Sequence, residues 1–320
     1  MNTSSATLPF SELQKLFGSR LQENVQIANY TSARVGGVAD AMLMVRSADE
    51  LAEVVKALWE RKISFILLGS GANVLVSDSG VRGVVLLNRA HTIRIDAESN
   101  PPTVWAESGA NFGTVARQTA LRGLGGLEWA ATIPGSVGGA VYGNAGAFGN
   151  DVKANLLMAD ILHHSMGRQN WSKDQMALDY RSSVLKRTND PAVILAAQFR
   201  LSHSTPEAAK EQIDQFSAQR KNSQPPGAST GSMFKNPPGD YAGRLIEAAG
   251  LKGTRVGGVE VSSIHANFFV NDQNATARDY SELIHIVRAK VEQKFGIHLE
   301  LEVELVGDWN GNKHTGDQLS

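Results

Sequence analysis

The sequence predicts an α+β chain folded in more than one part, and three observations carry that prediction. Segments with helical apolar spacing alternate with short apolar runs of strand length, without the strand, glycine loop and helix that open a Rossmann sheet. Glycine is unevenly spread: 11 of the 31 lie between Gly109 and Gly149, and one, Gly167, lies between Asn150 and Pro226. Composition shifts again near His203, just before a strong helix start at Thr205-Pro206. The 320 residues suffice for two or three domains of roughly 100–200 residues each.

The elements follow in order. Ser47-Ala48-Asp49-Glu50 reads as a capping box before Leu51, Val54, Val55, Leu58 and Trp59 at helical spacing. Residues 63–68, 74–76 and 84–87 are apolar runs of strand length, and Asp78-Ser79-Gly80 is a turn. Residues 91–96 and 103–106 read as a β ribbon around Asn100-Pro101-Pro102. Asn111 caps a helix carrying Phe112, Val115, Ala116 and Ala120, stopped by Gly123, Gly125 and Gly126. Residues 156–162 and 192–201 read as strands. Thr205-Pro206 starts a helix to about Lys221, with proline at its first position. Asp240 is expected to cap a helix with Leu245, Ile246 and Ala249, and Thr276 one with Tyr280, Leu283, Ile284, Val287, Val291 and Phe295. Strict apolar–acidic alternation over 299–305 reads as a strand with one wet face. The tail from Gly307 to Ser320, polar and glycine-containing after Trp309, is expected to be frayed.

Composition excludes whole classes of chemistry. Without cysteine there is no thiol nucleophile, disulfide, cysteine-ligated metal or cysteine-linked flavin, so redox chemistry needs a bound cofactor. A net charge of −1 gives no global pull toward nucleic acid or an anionic membrane. No apolar run reaches the ~18–20 residues of a membrane span, and the N-terminus lacks the apolar core of a signal peptide; the expectation is a cytoplasmic protein. No HxH or HExxH spacing supports a metal site.

Several motifs carry chemistry. Gly69-Ser70-Gly71-Ala72-Asn73 follows a strand, as phosphate loops do, because glycines let backbone N–H groups approach a diphosphate. A turn rather than a helix follows, and Gly-Lys-Ser/Thr is absent, so neither a Rossmann fingerprint nor a Walker A loop is formed. By itself the loop reads equally well as a tight turn. The stretch 125–149 is dense in glycine and low in charge, yet anchored by Leu127, Trp129, Ile133, Val137 and Val141; that favours presentation of backbone donors to a large flat ligand over a linker. Alone, Arg181 in Tyr180-Arg181-Ser182-Ser183 reads as a surface arginine, and Ser232 as a turn or capping serine. Glu300, Glu302 and Glu304 are equivalent by periodicity.

Taken together, these blocks resemble the UDP-N-acetylenolpyruvoylglucosamine reductase (MurB) family of bacterial peptidoglycan synthesis. The resemblance spans residues 20–309. It runs through Asn29-Tyr30-Thr31 to Gly36-Gly37, the 69–73 loop, 126–149, Tyr180-Arg181-x-Ser183, Gly231-Ser232-Met233-Phe234-Lys235-Asn236-Pro237, His265-Ala266-Asn267-Phe268 and Leu299-Glu300-x-Glu302-Val303. It implies an FAD-binding module of the vanillyl-alcohol-oxidase (PCMH) type over 20–203, in subdomains 20–88 and 89–203. A C-terminal α+β substrate domain over 204–309 and a flexible tail over 310–320 complete the expected organisation.

By the same resemblance FAD is non-covalent, cradled by Gly69, Ser70, Gly71, Ala72 and Asn73 and by Thr132, Pro134, Gly135, Ser136, Val137 and Gly138. NADPH is the co-substrate, UDP-N-acetylglucosamine enolpyruvate the substrate, and the expected state a monomer. Arg181, Ser232 and Glu302 carry over as catalytic residues. Lys235, Asn236, His265 and Asn267 are expected at the substrate, and Lys235, Arg220, Lys221 and Arg244 are the candidate cations for its diphosphate. Two departures stand out: Ala72 replaces a usual serine, and Met233 a common aromatic. The short connection across 203–240 leaves no room for the insertion of the longer subclass, which implies the shorter type II form.

Overall fold

A computed structural model describes residues 8–188 and 191–309. The expected tail over 310–320 lies outside the described residues. Gly307–Trp309 do not fray: the Ser77 hydroxyl donates to the Asp308 carbonyl at 2.5 Å and Trp309 Nε1 to the Val306 carbonyl at 3.0 Å.

The first sheet runs Leu21–Gln26, Val38–Val45, Val81–Asn88, Phe65–Leu68, antiparallel at its first pair and parallel thereafter. Its first two strands in chain order, the edge strand Leu21–Gln26 and the interior strand Val38–Val45, were not expected from the sequence. Leu21–Gln26 is an exposed edge with little apolar alternation, and an unanticipated helix, Phe10–Phe17, packs beside it through Leu13 and Phe17. Ser47 caps Ala48–Glu60 as expected, but only half of the capping box forms. The Glu50 carboxylate accepts from the Arg46 N–H instead and pairs with Arg20.

The second sheet is antiparallel throughout: Gly167–Ser172, Leu156–His163, Ala192–Arg200, Thr103–Glu107, Ile93–Asp96. One face buries Phe112, Trp129 and Phe199 beneath the Asn111-capped helix Phe112–Ala120. The other contributes Leu162, Val193 and Leu195 to the core under Ala48–Glu60, so the two sheets share packing. The helix Pro206–Ser223, capped by Thr205, rests Ile213 and Phe216 on the second core.

The C-terminal core gathers Phe234, Phe269, Leu245, Ile284 and Val287 around the long helix Ala277–Phe295, which has a full Thr276–Asp279 capping box and ends on left-handed Gly296. Asp240 does not cap the helix Ala242–Ala248. Its carboxylate pairs with Arg244, and the Ala242 N–H donates to the Asn236 side chain instead. The alternating 299–305 segment is not one strand with a wet face. It bridges Phe234 at Leu301, then changes partner and runs parallel to Val74–Val76 as Glu304–Val306. Each of its three glutamates meets a cation, as described below.

Two carboxylates tie the parts together by capping helices that lie far off in sequence. Glu107 accepts from the Ala48 N–H at 2.7 Å, and Asp78 from the Ala277 and Arg278 N–H groups at 2.8 and 2.9 Å. No described helix is long and apolar enough to cross a membrane.

Candidate active site

A cleft of about 900 Å³ runs between the sheets and the C-terminal part. This lies within the size range of small-molecule sites. One wall is backbone. Gly69, Ser70, Gly71, Ala72 and Asn73 all line it, as do Pro134, Gly135, Ser136 and Gly138. Close approach dictates the glycines. A Cβ on Gly69 would stand 2.3 Å from the Ser136 hydroxyl, and one on Gly71 (φ +64°) 2.1 Å from the Tyr30 carbonyl. Arg89 braces this loop from behind, donating to the Gly69 carbonyl at 2.7 Å. Two expected cofactor contacts do not reach the cleft: Val137 is fully buried in the second core, and Thr132 sits in the turn beneath Ile133.

The facing wall is made of charged and hydroxyl side chains. Arg181 occupies a tight turn in which Asp179 and Ser182 exchange backbone hydrogen bonds at 3.0 Å. Its φ of +51° is uncommon for a side-chain-bearing residue and projects the guanidinium inward. The buried Asn144 side chain fixes the turn, donating to the Asp179 carbonyl at 2.9 Å and to Asp151 at 3.1 Å. Arg181 Nη2 donates to the Gly146 carbonyl at 3.1 Å, and Nε stands 2.7 Å from Glu302 Oε1 as a close ion pair without hydrogen-bond alignment.

Glu302 is held in place at the backbone. Its N–H donates to the Met233 carbonyl at 2.9 Å, and its carbonyl accepts from the Asn73 side chain at 3.0 Å. Burial pushes its carboxyl above the usual range, while Arg181, Lys186 and Lys235 pull it down. Ser232 precedes Met233 on the same segment, bridges Phe268 and lines the cleft beside Glu302. The structure thus brings Arg181, Ser232 and Glu302 together from three distant stretches of chain. Periodicity had left the three glutamates equivalent. Here Glu300 pairs with Lys235 in solvent at 3.0 Å, whereas Glu302 and Glu304 face the cleft.

The four expected substrate residues do not line the cleft. Asn267 is buried and spends its amide on Phe234, accepting from its N–H at 3.0 Å and donating to its carbonyl at 2.8 Å. Asn236 caps a helix, Lys235 pairs with Glu300, and His265 packs on Phe268 with Nδ1 accepting from the Asn267 N–H. Of the other candidate cations Arg220 alone lines the cleft; Arg244 is paired with Asp240, and Lys221 is exposed. Sequence reasoning missed Lys186, Tyr142 and Thr230, which also line it. Only the position of Lys186 after the Tyr-Arg motif hinted at a role.

The cleft fits a dinucleotide cofactor. The Gly69 and Gly71 cradle leaves no room for side chains, and the buried Thr230 hydroxyl, which lines the cleft, meets no protein partner. Buried polar atoms of that kind ordinarily bond to water or ligand.

Comparison with known proteins agrees. Residues 39–169 match the family model described as an FAD binding domain, and 222–306 match the UDP-N-acetylenolpyruvoylglucosamine reductase C-terminal domain. The chain is 43% identical over 300 residues to the UDP-N-acetylenolpyruvoylglucosamine reductase of Rubrobacter xylanophilus, covering 92% of this chain and 98% of that one. It is 41% identical over 291 residues to that of Chloroflexus aggregans, covering 89% and 97%. The crystal structure of the reductase (MurB) from Thermus caldophilus superposes with a TM-score of 0.76 at 31% identity, covering 90% of this chain and 99% of that one. Sequence blocks, fold and cleft therefore converge, and the chain belongs to the UDP-N-acetylenolpyruvoylglucosamine reductase family.

Proposed function

We propose that this chain reduces UDP-N-acetylglucosamine enolpyruvate to UDP-N-acetylmuramate for peptidoglycan synthesis, with non-covalent FAD and NADPH. The observation that carries the reading is the convergence of Arg181, Ser232 and Glu302 on one cleft whose opposite wall is the glycine cradle. The 69–73 loop and the 134–138 backbone would hold FAD, which when bound would supply the hydride, drawn from NADPH, that adds to C3 of the enolpyruvyl group.

The residues of this chain manage the charge and the proton. Hydride addition at C3 develops negative charge at C2 and its carboxylate. Arg181 and protonated Glu302 stabilise that charge as donors fixed in place before reaction. The raised proton affinity that burial gives Glu302 keeps it a donor to higher pH than an exposed glutamate. Ser232 gives its proton to C2, because an enolate carbon is basic enough to draw on a weakly acidic hydroxyl. Arg220, half-buried on the cleft wall, offers a positive charge to the substrate diphosphate. Lys235, Asn236, His265 and Asn267 hold the segments that carry Ser232 and Glu302.

The reading also divides the chain into an FAD-binding part over 20–203 (20–88 and 89–203) and a substrate part over 204–309, with Pro206–Ser223 bridging them. It places the protein in the cytoplasm as a monomer. Purified protein should be yellow, with flavin released on denaturation, and should oxidise NADPH when the enolpyruvyl substrate is added. Reduced protein that ignores this substrate and reacts rapidly with oxygen would mark an oxidase of the same fold instead.

A further inference from the structure

The Arg181–Glu302 pair has a second pair beside it. Lys186 Nζ forms an ion pair with Glu304 Oε1, and both residues line the same cleft. The two pairs are laid out in parallel. The cations stand five residues apart, one on the turn and one on the short helix Val184–Thr188 that follows it. The glutamates stand two apart on the closing segment. The Lys186 side chain is 19% exposed, so its ammonium acts where water screens it poorly. Nothing in the chemistry assigned to Arg181, Ser232 and Glu302 uses this pair.

We propose that Lys186 and Glu304 are positioning residues for the reaction assigned above: their ion pair sets the charge around the Glu302 carboxyl, and hence the pH range over which Glu302 holds its proton. The inference rests on the reading of Glu302 as a protonated donor.

The groups that face Glu302 come from every neighbouring element. Arg181 approaches from the turn, Lys186 from the short helix, and Lys235 and Ser232 from the 231–235 segment. Glu300 and Glu304 flank it on its own segment, and Asn73 donates to its carbonyl. Tyr142 lines the cleft from Val137–Tyr142, where Glu304 and burial push its hydroxyl pKa up, and Arg220 lines it from Pro206–Ser223. Lys235 is already engaged by exposed Glu300, and Arg181 is the direct partner of Glu302. That leaves the Lys186–Glu304 pair as the adjustable term in the local charge balance.

The two members of the pair have opposite signs, so their removal has opposite consequences. Lys186→Met deletes a cation and leaves Glu304 as an unopposed anion; both changes favour protonated Glu302. Glu304→Gln deletes the anion and frees Lys186, which favours ionised Glu302. An elementary charge ~7 Å away in a half-enclosed site changes a carboxyl's proton affinity about threefold or more. A pair acting only as a mechanical clamp loses the same contact in both variants and moves both alike.

The test uses FAD-loaded protein, reduced anaerobically with NADPH and mixed with UDP-N-acetylglucosamine enolpyruvate across the neutral to alkaline range, with flavin reoxidation followed by absorbance. Wild-type protein that fails to reoxidise with this substrate overturns the functional reading itself. Wild-type reoxidation should fall as pH rises through the titration of Glu302, and Glu302→Gln should abolish that limb; a limb that survives in Glu302→Gln overturns the present inference. Lys186→Met should displace the limb upward by about half a pH unit or more, Glu304→Gln should displace it downward by a similar amount, and Lys186→Arg should restore it. Displacement of both variants in one direction, or of neither, overturns the proposal. Should Lys186→Met not retain flavin, Glu304→Gln alone still decides: a downward displacement supports the proposal, and any other result overturns it.

Discussion

The two walls of the cleft are built on opposite principles. The 69–73 loop works by leaving side chains out: at Gly69 and Gly71 a Cβ would collide with Ser136 and Tyr30, so the backbone itself forms the surface. The wall formed by the 179–188 and 231–235 segments and the closing residues 302–306 works by putting side chains in. Arg181, Lys186, Glu302 and Glu304 enter from several places and hold one another by two ion pairs, and Ser232 lines the same cleft. A wall made of backbone binds without titrating, and its failures are steric. A wall made of paired charges can stabilise developing charge and move protons, and its failures are electrostatic and pH-dependent.

Substitutions on each wall should therefore fail in different assays. The largest effect is expected from Arg181→Met. It removes a fixed positive charge from the site of developing anion and leaves Glu302 buried without its partner. Substrate-dependent flavin reoxidation should slow by about 10²–10³-fold, with flavin content at wild-type level. Stopped-flow absorbance and a spectrum of the purified protein measure the two quantities; loss of flavin in this variant would erase the distinction between the walls.

Gly71→Ala should show the reverse pattern. A positive φ and a carbonyl at 2.1 Å from the new Cβ impose about 1–3 kcal/mol of strain, or roughly 10–100-fold in FAD affinity. Fluorescence titration of flavin-stripped protein reads that loss, while protein saturated with FAD should turn over at close to the wild-type rate. The smallest effect belongs to Asp78→Ala, which lies on neither wall. It removes the acceptor for two N–H groups at the start of Ala277–Phe295, costing about 1 kcal/mol. A slightly lower melting temperature with unaltered flavin content and rate is the expected result.

The same contrast explains what could be read without coordinates. Local backbone rules are written in consecutive residues. Ser47, Asn111, Thr205 and Thr276 cap their helices as expected, and the strands at 65–68, 74–76, 81–88, 156–163 and 192–200 follow their apolar runs. The 69–73 glycine turn was legible for the same reason, while its reading as a cofactor cradle came from the family resemblance. Contacts between distant residues are not written locally. Asp240 has the right chemistry for a cap, but Arg244 one turn later competes for it, and Asn236 takes the cap from outside the helix. Asn267 is polar and close to the site in sequence, yet its amide is consumed by Phe234.

Arg181 shows the limit most clearly. Its inward direction depends on a left-handed backbone in a turn held by Asn144, which lies 35 residues before its partner Asp179, and no periodicity reports that. Family resemblance named Arg181, Ser232 and Glu302; only the fold shows why they meet. The pairing of Lys186 with Glu304, which neither the acidic alternation nor the Tyr-Arg motif foretold, emerges from their placement in the fold.

The most direct test of the central claim separates the two half-reactions in FAD-loaded Ser232→Ala. The backbone wall is intact in this variant, so NADPH should bleach the flavin at close to the wild-type rate. The proton for C2 is missing, so UDP-N-acetylglucosamine enolpyruvate should then fail to restore the colour. Reoxidation by substrate at the wild-type rate would contradict the account.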